Sequence, residues 1–194
     1  MKHRQITILG ETRSLPISKI GNIEIAGFDS VGDMQIILKV AKELHSQIIE
    51  VACVGRPHII ITTELKGLPL SQELARLLNI DYLVLRKSEK VYMGECICLK
   101  GESITSGESN YYLSKTNFEK MKNKNILFVD DVFSTGKTME TILELAKQTN
   151  ANLISAFFIL REQMDGQDND KVVKFSHEGI PCIACGTLKC SIVQ

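Results

Sequence analysis

Apolar positions along this chain follow two alternating rhythms. Short aliphatic or β-branched runs at 6–9, 23–26, 58–63, 82–85, 126–129, 153–160 and 180–184 have the length and composition of strands. Between several of them the spacing changes to i, i+3, i+4, i+7. Met34, Ile37, Leu38 and Ala41 form one such stripe within 31–44. Leu70, Leu74, Leu77 and Leu78 form a second, and Met139, Ile142, Leu143 and Ala146 a third. Each stripe predicts a helix with one buried face. Segment 45–54 fits helix or strand equally. Segment 91–117 alternates poorly and carries Gly94, Gly101 and Gly107, which predicts a hairpin with a strand near 95–99. Strands that alternate with helices predict an α/β fold with a mostly parallel central sheet flanked by helices.

Composition narrows the picture. The 194 residues contain no Pro- or Ser-rich linker and no shift in composition, so 1–194 reads as one domain. Lys plus Arg equals Asp plus Glu at 23 each, so no overall field draws in nucleic acid, and no such partner is expected. No apolar run reaches the roughly 18 residues of a membrane span, and 1–11 lacks a long signal core. A cytoplasmic protein without membrane contact is the expectation. Of the six cysteines (Cys53, Cys96, Cys98, Cys182, Cys185, Cys190), the Cys182-Ile-Ala-Cys185 pair invites a zinc reading. A structural zinc site needs four ligands, and only Cys190 and His177 lie near in sequence. Buried thiols are the preferred reading, with no protein-bound metal.

Chemistry concentrates in 125–138, NILFVDDVFSTGKT. An apolar strand exits through Asp130 and Asp131 into Ser134, Thr135, Gly136, Lys137 and Thr138, where a helix begins. Ligands of open α/β sheets gather outside the carboxyl ends of the strands. Free N–H groups at a helix start favour an anion, and this turn adds hydroxyls, a cation and a glycine. Phosphate is the natural guest. The carboxylates would repel it but suit vicinal hydroxyls, so the pair of features suggests a ribose 5-phosphate. Gly136-Lys137-Thr138 also looks like the tail of a P-loop, but that motif needs a glycine where Asp131 stands.

Two other strand ends carry cations. The run 58–63 leads into Glu64-Leu65-Lys66-Gly67, and 82–85 leads into Arg86-Lys87-Ser88-Glu89-Lys90. Each is either an ordinary solvated turn or a place where a diphosphate can settle.

Together these residues resemble the type I phosphoribosyltransferases. VDDVFSTGKT is similar to that family's phosphoribosyl-diphosphate signature, which implies that Asp130 and Asp131 hold the ribose hydroxyls while Ser134 to Thr138 wrap the 5-phosphate. TELKG resembles the diphosphate loop, implicating Glu64, Lys66 and Gly67. RKSEK resembles the opening of the mobile catalytic loop in the adenine enzymes, implicating Arg86, Lys87 and Lys90, although Val91-Tyr92 replaces the usual Leu-Pro.

The resemblance further implies a mobile loop at about 87–117 that excludes water, and a small hood built from about 1–30 and 161–194. Glu108 is either the loop carboxylate that manages a proton near the base or a solvated acid. Phe28 either stacks on the base or belongs to the core. Arg161 either donates to an exocyclic oxygen, as a Lys does in the xanthine enzymes, or pairs with Glu162 on the surface. Ser134 stands where the hypoxanthine-guanine enzymes carry an acid, which points to the adenine and xanthine branch. The implied activity joins a purine base to phosphoribosyl diphosphate with magnesium bound through the diphosphate, in a homodimer. Alternatives are a regulator that binds phosphoribosyl diphosphate without catalysis, or an enzyme for another heterocycle.

Overall fold

The computed structural model describes residues 2–51, 55–103, 107–164 and 166–192. Side chains of 20, 51, 101–103 and 107–109 lie outside that description, as does Cys53. In chain order the elements are β1 (His3–Ile8), β2 (Glu11–Ile20), β3 (Ile23–Ala26), α1 (Met34–Val51), β4 (Ile59–Thr63), α2 (Leu68–Leu78) and β5 (Asp81–Leu85). There follow β6 (Cys96–Ser103), β7 (Gly107–Ser114), α3 (Lys115–Met121), β8 (Asn125–Phe133), α4 (Lys137–Thr149), β9 (Asn152–Met164), β10 (Val173–His177), β11 (Ile180–Ala184) and β12 (Thr187–Ile192). Among the described residues, no helix is long and apolar enough to cross a membrane.

The architecture is α/β with a mixed, centrally parallel sheet. Its path is β1-β2-β3-β12-β9-β8-β4-β5, and the β10–β11 hairpin joins β9 through β11. Strands β5, β4, β8, β9 and β12 run parallel to one another, while β1 to β3 form an antiparallel edge whose β3 pairs antiparallel with β12. Both faces of the parallel part are covered. Ile60, Leu127, Val129 and Phe157 pack with α1 and α2, and Ile61, Phe128 and Phe158 pack with Met139, Ile142 and Leu145 of α4. Two covered faces explain why these strands read as continuous apolar runs without alternation. Each such buried side chain contributes roughly 1.5–3 kcal/mol.

Several elements differ from the sequence pattern. Helix α1 continues to Val51, so 45–51 is helical, and it starts at Met34 where the pattern suggested 31. Strand β2 has no strand signature, being polar and containing Pro16; it forms because Leu9 and Gly10 take positive φ (50° and 81°) and fold it back on β1. Two successive positive-φ residues are what a tight hairpin turn requires. Strand β9 runs on to Met164, which places Arg161 inside the strand and not at its end. The 91–117 segment is a hairpin of β6 and β7, as expected, and it then enters α3.

Candidate functional site

Parallel pairing of β4, β5 and β8 brings three strand ends together, and the site grows from them. At the exit of β8, Asp130 and Asp131 are each buried to 9% exposure. Asp130 accepts a hydrogen bond from the Thr63 hydroxyl at 3.0 Å and another from the Asp131 amide at 3.0 Å. Those two bonds favour its charged form, but burial and the neighbouring Asp131 charge outweigh them and push its carboxyl up to about 8. Burial also raises Asp131, with Lys66 opposing. Burial and mutual repulsion thus favour a proton on this pair near neutral pH.

The loop after β4 closes over the acids. Lys66 Nζ lies 3.9 Å from Asp131 Oδ2 and donates to the Phe28 carbonyl at 2.7 Å. Buried Ser30 donates to the Lys66 carbonyl at 2.6 Å, so the segment after β3 holds this loop in place. Gly67 passes so close that a Cβ there would lie 2.7 Å from Asp130 Oδ1 and 2.4 Å from Thr62 Oγ1. Only a residue without a side chain permits that approach. The Glu64–Leu65 peptide is cis.

Downstream, Phe133 leads through exposed Ser134 and Thr135 to Gly136, which caps α4 with φ of 87°. This left-handed glycine turns the chain so that the first turn of α4 faces the acids. Lys66, Asp130, Asp131 and 134–138 all line one cavity of about 460 Å³. Its far wall comes from β3, β9 and β12, with Ile23, Ile25, Phe28, Met164, Leu188 and Cys190 among the lining residues. The cavity thus joins a helix start, an acid pair and an apolar wall.

A family model, the phosphoribosyl transferase domain, matches residues 27–182. The chain belongs to the type I phosphoribosyltransferases. A hypoxanthine/guanine phosphoribosyltransferase from Methanocella paludicola is 31% identical over 108 residues, which cover 56% of this chain and 53% of that protein. The purine biosynthesis transcriptional repressor PurR of Bacillus subtilis is 28% identical over 127 residues, covering 64% of this chain and 42% of the repressor. The chain thus spans about half the length of these relatives. In fold it resembles the adenine phosphoribosyltransferase of Saccharomyces cerevisiae, solved with adenine and an imino-altritol bisphosphate. The TM-score is 0.58 at 24% identity, covering 64% of this chain and 69% of that one.

The remaining residues singled out from sequence are placed as follows. Glu64 lies 3.6 Å from the Arg86 guanidinium and accepts from the Lys87 amide at 3.2 Å, tying the loop after β4 to the exit of β5. Arg86 also sits over the Tyr92 ring at 5.8 Å. Arg86, Lys87 and half-buried Lys90 are not among the residues that line the cavity. The Glu108 backbone pairs with Glu102 in the β6–β7 hairpin, and its side chain lies outside the described residues. Phe28 is both core and cavity wall, at 4% exposure. Arg161 is not among the residues that line the cavity: its guanidinium lies 4.2 Å above the Phe175 ring, and among the described residues it makes no ion pair with Glu162. Cys182, Cys185 and Cys190 are buried free thiols.

Sequence reasoning missed Thr63, Glu162 and His177. Thr63 had a weak signal, a polar residue closing a β-branched run. Glu162 was visible only as the neighbour of Arg161. His177 Nε2 is buried against Gly136 without a hydrogen-bond partner, and nothing local announced that contact.

Proposed function

We propose that this chain is a purine phosphoribosyltransferase, transferring the 5-phosphoribosyl group from phosphoribosyl diphosphate to a purine base. One observation carries the reading: a helix-start phosphate turn and a buried acid pair open into the same cavity, opposite an apolar wall large enough for a ring. The amides and hydroxyls of 134–138 hold the 5-phosphate, and Asp130 and Asp131 accept from the ribose hydroxyls. Phe28 and the strands of the hood flank the base. In the reaction the C1–O bond breaks with its electron pair leaving on diphosphate, a ring nitrogen supplies the pair for the new C1–N bond, and that nitrogen's proton departs. Lys66, Arg86, Lys87 and Lys90 offset the charge that develops on diphosphate. Closure of 87–117 excludes water, and Glu108 is assigned the departing proton.

Magnesium would enter on the diphosphate and, as a Lewis acid, would withdraw charge from the leaving group. The residues present fit a hard cation: Asp130 and Asp131 supply carboxyl oxygens, and a dication beside them would offset the repulsion that otherwise keeps a proton on the pair, that proton passing to solvent. The homodimer implied by the family resemblance and the cytoplasmic location belong to this reading as well; light scattering tests the first.

A steady-state assay with phosphoribosyl diphosphate, magnesium and adenine, guanine, hypoxanthine, xanthine or orotate tests the reading. Turnover with a purine supports it, and no turnover with any base removes the catalytic part. The similarity to PurR favours a second reading, a regulator that binds phosphoribosyl diphosphate without chemistry. Calorimetric binding of that compound with no base-dependent turnover would select it.

A further inference from the structure

The apolar end of the cavity holds one acid. Strands β9 and β12 pair in parallel, with Glu162 beside Leu188 and Met164 beside Cys190. Side chains alternate along a strand, so these four share a face, and all four line the cavity. Arg161 points the other way, to Phe175. Leu188 and Cys190 are buried, and Ile25 and Phe28 belong to the same lining. Among the described residues lining this wall, the ionisable groups are therefore the Glu162 carboxyl and the Cys190 thiol. Burial and the Glu162 charge raise that thiol to about 11, so it stays protonated and can donate to the carboxylate. The nearby cation, Arg4, is engaged elsewhere, 3.7 Å from Glu24 and donating to the Lys189 carbonyl at 2.7 Å.

A carboxylate only accepts hydrogen bonds. In an apolar slot a ring bearing an exocyclic amine gains a charge-assisted bond to it, whereas an exocyclic oxygen placed there meets another acceptor and loses its water. We propose that Glu162 determines base specificity by accepting from an exocyclic amine, so that the cavity takes an aminopurine, adenine or guanine, in preference to hypoxanthine or xanthine. The proposal rests on the reading of the site given above and concerns its base end only.

Calorimetry with AMP, GMP, IMP, XMP and ribose 5-phosphate tests it without requiring turnover. The wild-type chain should bind AMP or GMP at least tenfold more tightly than IMP and XMP. In Glu162→Gln, whose amide can also donate to an oxygen, that ratio should fall toward one. Ribose 5-phosphate, read on both proteins, isolates the contribution of the base. Glu162→Ala should weaken the amino-bearing nucleotides selectively. Equal affinity for all four nucleotides, or a uniform loss in both variants, would overturn the role of Glu162 while ribose 5-phosphate binding upholds the site. If neither ribose 5-phosphate nor any nucleotide binds, the phosphoribosyl reading itself falls and Glu162 falls with it.

Discussion

Gly136 is seated on the imidazole of His177: a Cβ added to the glycine would lie 2.4 Å from His177 Cε1 and 2.5 Å from Nε2. The turn before α4 therefore takes its shape from two directions. Its own positive φ lifts the start of α4, and a side chain from the β10–β11 hairpin limits how far the turn can sink.

Gly136→Ala should destabilise the protein by about 1–3 kcal/mol, combining the left-handed backbone penalty with displacement of His177. Affinity for ribose 5-phosphate should fall by more than about tenfold, since a shift of the amides removes charge-assisted bonds. Adding His177→Ala should recover part of the stability but not the backbone part. Urea denaturation and calorimetry on the single and double variants check this; unaltered affinity in Gly136→Ala would contradict the assignment of the turn to phosphate.

Asp131→Asn separates binding from folding. Burial penalises the Asp131 charge, so a neutral amide should leave the unliganded protein as stable or more so. An amide presents donors to the ribose hydroxyls in place of one acceptor oxygen, so binding of phosphoribosyl diphosphate should weaken by about 1.5–3 kcal/mol, ten- to hundredfold. Thermal unfolding of the unliganded variant, set beside its Kd, distinguishes the two effects.

Folding stability should depend on pH through Asp130. Its carboxyl keeps a proton up to about 8 when folded, against an ordinary value near 3.8 when unfolded. Across that window the folded chain binds more protons than the unfolded one. The stabilisation is complete below the unfolded value and is lost as pH rises through the folded one, with a slope of at most about 1.4 kcal/mol per unit. Denaturation midpoints from pH 5 to 8 should fall in the wild type and flatten in Asp130→Asn.

Glu64→Ala should barely change stability, within about 1 kcal/mol, because its pair with Arg86 is partly exposed. It also releases the Lys87 amide, loosening the strand end that carries Arg86 and Lys87. The KM for phosphoribosyl diphosphate should therefore rise several-fold. A stability loss with KM unchanged would make Glu64 a purely structural link.

How far the sequence was legible varied with how local each feature is. The site-bearing units, β4 with its loop and β8 with the Gly136 turn and α4, are contiguous segments whose apolar runs and polar exits sit side by side in the chain. They read correctly for that reason. Strand β2 was invisible because its polarity and Pro16 conceal a pairing supplied by β1 and β3. Strand β12 was missed because its pairing with β9 and β3 comes from remote segments.

Acid pair, glycine turn and family were thus contained in the order of residues, because each is a short-range pattern of side chains along one backbone. The orientation of neighbours such as Arg161 and Glu162 was not, since a strand sends them to opposite faces and only the pairing with β12 decides which face meets the cavity. The same holds for His177 beneath Gly136. A contact across 41 positions of chain exists only after the hairpin has packed against the sheet, where burial of Phe133 and Phe175 brings the two residues together.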